Sequence, residues 1–146
     1  MAKRVRTLSA LVIALGVIFV VAGVVTWIAV QQQLADENIT VSADASAFAG
    51  DKVAGPFTAY VEANTIEKHT LEATGGKTYA ELARDDPLRE TAMTGSFLRA
   101  SLFTSVVAFG VAAMAVGFGV AIMLIGWALR AGAGDPVPTL GGDHRL

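Results

Sequence analysis

The 146-residue sequence predicts an all-α membrane protein: a two-helix transmembrane hairpin with a small, mostly helical extracytoplasmic insert. Two long uncharged apolar runs predict the helices, and the charges flanking them predict the orientation. The composition agrees, with 53% hydrophobic and only 16% charged residues, against about 45–50% and about 25% in ordinary soluble domains.

Residues 1–7 form a basic start, with Lys3, Arg4 and Arg6 and no acidic residue. Residues 8–30, "LSALVIALGVIFVVAGVVTWIAV", are the first predicted span. A bilayer core needs about 20 helical residues, and this run is also longer than the about 7–15 apolar residues of a secretory signal core. A retained anchor is therefore expected rather than a cleaved signal. Residues 100–129, "ASLFTSVVAFGVAAMAVGFGVAIMLIGWAL", are the second span. They exceed the length a bilayer requires, which predicts tilt or a projecting end.

The positive-inside rule orients the pair. The basic start is placed in the cytoplasm, residues 31–99 outside with 11 acidic and 6 basic residues, and residues 130–146 back in the cytoplasm. This is a multi-pass plasma-membrane arrangement. Trp27 and Trp127 are expected at opposite interfaces, and Arg99 is expected to snorkel at the outer one. The Gly- and Pro-rich tail is expected to be disordered.

Within the outer segment, "ITVSADASAFAGDKVAG" reads as extended chain with one short strand at most. Pro56 suits a first helical position. "PFTAYVEANTIEKHTLEAT" reads as an amphipathic helix with Phe57, Tyr60, Val61, Asn64 and Leu71 near one face. "GGKT" resembles the tail of a phosphate-binding loop, but the glycine required five positions before Gly76 is Leu71. Gly75 and Gly76 instead suit a helix stop. Thr78 to Glu81 reads as a capping box opening a short second helix. Asp86 and Pro87 then suit the start of one long helix that runs into the second span, with Gly95 its weak point.

The chemistry-bearing residues are sparse. Cysteine is absent, and a net charge of −2 offers no basic field for nucleic acid. Neither span holds an ionisable residue, which argues against an ion or proton pathway. His69 and His144 are expected on opposite sides of the membrane, with His69 exposed near Glu72. The outer carboxylates read as solvated faces and caps, since nothing in the sequence marks a buried pair.

Small residues are the strongest positive feature. Ala113, Gly117 and Ala121 recur every four residues, Ala115 and Gly119 form a neighbouring row, and Gly126 follows Gly119 by seven. Gly16 and Gly23 are likewise seven apart. Such rows let helix backbones approach closely, and packing is what holds helices together in lipid. They are predicted to serve the hairpin itself or a partner helix, unless they merely reflect an Ala- and Gly-rich composition.

The segments "GPFTAYVEANTIEKHTLEATGGKTYAEL", "DDPLRETAM" and "SFLRASLFTSVVAFGVAAMAVGFGV", with "RTLSALVIALGVIFVVAGVVTW", resemble a group of small actinobacterial membrane proteins. Members are often carried under the name aromatic ring-opening dioxygenase, A-subunit type. The resemblance implies a plasma-membrane protein with two spans. A ring-opening dioxygenase holds iron through histidines and a carboxylate, and two histidines on opposite sides of a membrane cannot supply that set. The expectation is therefore a non-enzymatic accessory or interaction subunit of an envelope complex, with no catalytic residues, metal or cofactor. Its expected partners are membrane lipid and other membrane subunits or further copies, with no nucleic acid or nucleotide. The alternative is an extracytoplasmic ligand- or lipid-binding sensory module, with an apolar pocket formed by Phe48, Phe57, Tyr60, Ile66, Leu71 and Tyr79.

Overall fold

Three helices, α1 (Ala2–Asp36), α2 (Pro56–Ala73) and α3 (Arg89–Gly132), make up the regular structure of the computed structural model, which describes residues 2–132. The predicted tail disorder and His144 lie outside the described residues. Both α1 and α3 are long and apolar enough to cross a membrane, and neither contains a proline. The chain divides into two units, one of residues 1–21 with 115–146 and one of residues 22–114.

In the first unit, α1 and α3 meet backbone to backbone. A Cβ built on Gly16 would stand 2.6 Å from Gly119 O, and one on Gly119 would stand 2.6 Å from Gly16 O and 2.8 Å from Val20 N. At Gly126 the neighbours are Ile13 Cγ1 at 2.7 Å and Ser9 O at 3.1 Å. Ser9 is buried and donates its hydroxyl to Arg6 O at 2.9 Å, so it brings no unpaired group to the seam. In this unit the buried small residues are seven positions apart, Ser9 and Gly16 on α1 and Gly119 and Gly126 on α3. A seven-residue repeat is the signature of helices packed at a shallow angle.

In the 22–114 unit, α1 ends where Asn38 turns to a φ of +53° and donates its amide N–H to Ala35 O. The segment up to α2 forms no strand. One antiparallel bridge joins Thr40 to Lys52, and Val41 and Val53 turn inward beside it. Pro56 opens α2 as predicted, and the Thr58 hydroxyl accepts from Gly55 N–H at 3.2 Å. The helix stops at Gly75 and Gly76, with φ of +65° and +81°, and Gly76 N–H returns to Leu71 O at 2.7 Å.

Three expectations are corrected in this unit. The Thr78–Glu81 box forms, with Thr78 N–H and hydroxyl both donating to Glu81 Oε2 at 2.8 Å, but only turns follow it. Arg89 Nη1 donates to Leu82 O at 2.6 Å and gathers these turns without a helix. On α2 the packed face is also different: Ala59, Glu62, Ala63 and Thr65 are buried, while Phe57, Tyr60 and Asn64 are exposed. Small side chains win because α2 lies close against its neighbours. Gly95 is not a weak point of α3 but the place where α2 touches it, its added Cβ falling 2.7 Å from Thr70 Cγ2. The core of the unit is Leu34, Val41, Val53, Ala59, Ala63, Leu102 and Phe109.

Candidate functional site

The small-residue rows separate into two faces. Gly16, Gly119 and Gly126 lie in the α1–α3 seam of the first unit, Gly23 is buried in the other unit, and Ala115 is half-buried. Ala113, Gly117 and Ala121 are exposed, and a Cβ on Gly117 would meet nothing within 4 Å. The row at four-residue spacing thus takes no part in pairing α3 with α1.

Side-chain pairs fix the levels of the helices in the 22–114 unit. The Trp27 and Phe109 rings meet edge to face with centroids 4.7 Å apart. Trp27 is half-buried, with its ring packed against α3. Three residues further along each antiparallel helix, Val30 and Val106 both pack on the core. The apolar run of α1 ends at Val30, before Gln31, Gln32 and Gln33, so the part of α3 before Val106 projects beyond that run. Along that projecting part α2 runs antiparallel to α3. Tyr60 meets Phe103 with centroids 5.7 Å apart, Glu67 pairs with Arg99 at 2.9 Å, and Thr70 touches Gly95. Arg99, expected to snorkel at the outer interface, pairs with Glu67 and lies over the Phe103 ring at 5.3 Å.

The outward face of this projecting part is apolar and uncovered. Phe97 is 77% exposed and Met93 47%. With Tyr79, Ser96, Ala100 and Thr104 they line an open groove of about 410 Å³. The guanidinium of Arg89 lies over the Tyr79 ring at 4.0 Å and holds that rim in place.

The six residues expected to form an apolar pocket do not converge. Phe48, Phe57 and Tyr60 are exposed, and Ile66 packs on the core. Leu71 and Tyr79 line a cavity of about 60 Å³ with Glu67, Lys77, Ser96 and Arg99. Drug-sized ligands occupy about 300–1,000 Å³, so this space suits a few waters or a group of similar size.

Two carboxylates make specific contacts, and one of them, Glu62, departs from the solvated reading. Glu62 is 5% exposed and accepts from Ser42 N–H at 2.7 Å and from the Ser42 hydroxyl at 2.9 Å. Asp44 is exposed and its Oδ2 accepts from both His69 Nε2 at 2.8 Å and Lys68 Nζ at 3.1 Å. The His69 bond first, and then the Lys68 bond, hold the Asp44 carboxyl down at about 2, against an ordinary 3.8. The Asp44 bond correspondingly raises Lys68. Bonds from the Thr78 amide and hydroxyl lower Glu81. His69, placed near Glu72 by helical spacing, is tied instead to a residue 25 positions away. Both clamps fasten the 40–53 segment onto α2. Among the described residues no three His, Asp or Glu side chains gather as a metal site.

The chain matches no protein-family model, no curated protein and no solved structure.

Proposed function

We propose that this protein is a non-enzymatic integral membrane protein that acts as an interaction subunit of a larger envelope complex. In this reading α1 and α3 span the plasma membrane, residues 31–99 lie outside, and a partner protein docks on the projecting part of α3. The observation that carries it is the uncovered apolar face of Met93 and Phe97. Phe97 stands nine residues before Val106, about 14 Å along a helix. The headgroup layer on each side of the hydrocarbon core is only about 5–7 Å deep. Lipid therefore does not reach Phe97, and a cluster of large apolar side chains left in water marks a protein interaction site. On α3, the exposed small residues Gly117 and Ala121 offer a partner helix a surface for close packing within lipid.

The test is a gentle detergent pull-down of the full chain with mass spectrometry, run beside Phe97→Glu. Enrichment of one defined membrane partner that Phe97→Glu loses supports the reading. A monodisperse monomer with no enriched partner overturns it, as does a partner captured equally by both chains. Iron-dependent turnover of a catechol by the purified chain would also overturn it.

A further inference from the structure

We infer that the first turn of α2 rests on the outer leaflet, with Phe57 and Tyr60 as its interfacial anchor. The inference depends on α1 and α3 being spans, as proposed above. Its basis is a matter of level. Tyr60 packs edge to face on Phe103, and α2 runs antiparallel to α3, so the N-terminal turn of α2 points back toward the end of the α1 apolar run. Phe57, one turn before Tyr60, falls at about the level of Val106 and Val30. At that level the hydrocarbon edge gives way to headgroups, where rings with an apolar body are favoured.

Exposure marks the same two residues. Phe57 is 74% exposed and Tyr60 is half exposed, although both sit on a helix whose small residues Ala59 and Ala63 face the core. An amphipathic helix that turns its small residues inward and its rings outward is matched to a second apolar phase. The surroundings fit, since Gly55 and Pro56 carry no charge next to Phe57. Of the charged residues of α2, Glu62 on the near half is buried against Ser42, and Glu67, Lys68 and Glu72 lie on the far half, away from the proposed lipid surface. Phe48 is exposed too, but its loop is tied through Asp44 to Lys68 and His69, on the half of α2 remote from the membrane. The inference leaves Phe48 out.

The absence of cysteine allows a direct measurement on the full chain. Phe57→Cys, Glu72→Cys and Phe118→Cys are each spin-labelled and reconstituted in vesicles of phosphatidylcholine and phosphatidylglycerol. Collision with oxygen, enriched in lipid, is compared with collision with a water-soluble nickel chelate. The oxygen-to-nickel ratio is expected to be highest at 118, lowest at 72, and severalfold above the value of 72 at 57. A label at 57 that matches 72 while 118 reports lipid overturns the anchor and leaves the spans standing. A water-like value at 118 overturns both. Phe57→Leu, labelled at Thr58→Cys, repeats the measurement with the apolar body kept and is expected to give the same intermediate depth.

Discussion

The α1–α3 seam in the 1–21 and 115–146 unit and the clamps of the 22–114 unit hold helices together by opposite means. At Gly16 and Gly119 nothing intervenes between two backbones, and the attraction is dispersion between closely packed atoms. In the other unit carboxylates, a guanidinium and an imidazole fasten turns onto helices through Glu62, Arg89 and Asp44. Under the proposed topology, the difference follows from the solvent around the seam and around the outer segment. In hydrocarbon, apolar burial gives no advantage and polar side chains are costly, so small residues that maximise contact do the joining. In water, apolar burial is available but a short insert has little of it, and paired polar groups set its register.

The seam should break most easily by overfilling. In Gly119→Leu the new side chain meets Gly16 O and Val20 N, which are backbone atoms and cannot swing aside. A loss of about 3 kcal/mol or more is expected, at the top of the usual range for overpacking. Gly117→Leu, built into open space, should stay within about 0.5 kcal/mol. Denaturation by sodium dodecyl sulfate from a mild detergent, followed by circular dichroism, reads both. Equal losses would erase the distinction between the two rows.

The contact of α2 with α3, within the 22–114 unit, also obeys the seam's rule. Gly95→Ala should cost about 2 kcal/mol by the same overpacking, with the clash falling on Thr70. Adding Thr70→Ala removes the side-chain atoms Oγ1 and Cγ2 from the clash and should return part of the loss. Strict additivity in that double-mutant cycle would show that the two residues do not touch.

Polar clamps should fail more gently. Glu62→Ala strips Ser42 N–H of its acceptor, and a stranded donor costs about 1–3 kcal/mol. Ser42 is half-buried, so water partly replaces the carboxylate and the expected loss is about 1 kcal/mol. Hydrogen exchange at Ser42 and Val41 should accelerate while exchange in the α1–α3 seam does not change. Coupled acceleration across both regions would contradict the contrast drawn here.

The smallest effect is expected at Asp44. Its carboxyl is lowered on folding, so its contribution is fully present above the ordinary 3.8 and is lost as pH falls through about 2. Exchange of the 40–53 segment should therefore rise between about pH 4 and pH 2. In Asp44→Asn that acid-dependent rise should disappear, leaving a segment slightly looser at every pH.

The sequence made the long helices legible because an uncharged run of twenty or more residues has few other solutions. Pro56 and the Gly75–Gly76 stop were legible for a local reason, since each acts through its own backbone. What misled was packing between distant residues. Phe57 and Tyr60 looked like the inner face of α2 because they are large, whereas the close approach of α2 to its neighbours selected Ala59 and Ala63. Glu62 read as solvated because Ser42, its partner, lies twenty positions away. His69 read as a neighbour of Glu72 for the same reason. The Thr78 box promised a helix, but few residues separate it from Asp86 and Pro87, too short a stretch to offset the cost of starting one. Of the candidate interface, Gly16, Gly119 and Gly126 were readable from spacing alone. The exposed Met93–Phe97 face was not, because spacing does not reveal that α1's apolar run ends level with Val106.

The order in which the chain is made gives the core of the 22–114 unit a further meaning. Leu34, Val41, Val53, Ala59 and Ala63 are synthesised well before Leu102 and Phe109, which complete the cluster. Under the proposed topology, the outer segment crosses the membrane while its interior is still unfinished, and only arrival of the second span closes it. A chain halted before α3 would expose apolar residues to whatever chaperones and proteases work outside the cytoplasm. Maturation of the exported part is thereby tied to successful insertion of the last helix, so an incompletely inserted chain is marked for removal by its own structure.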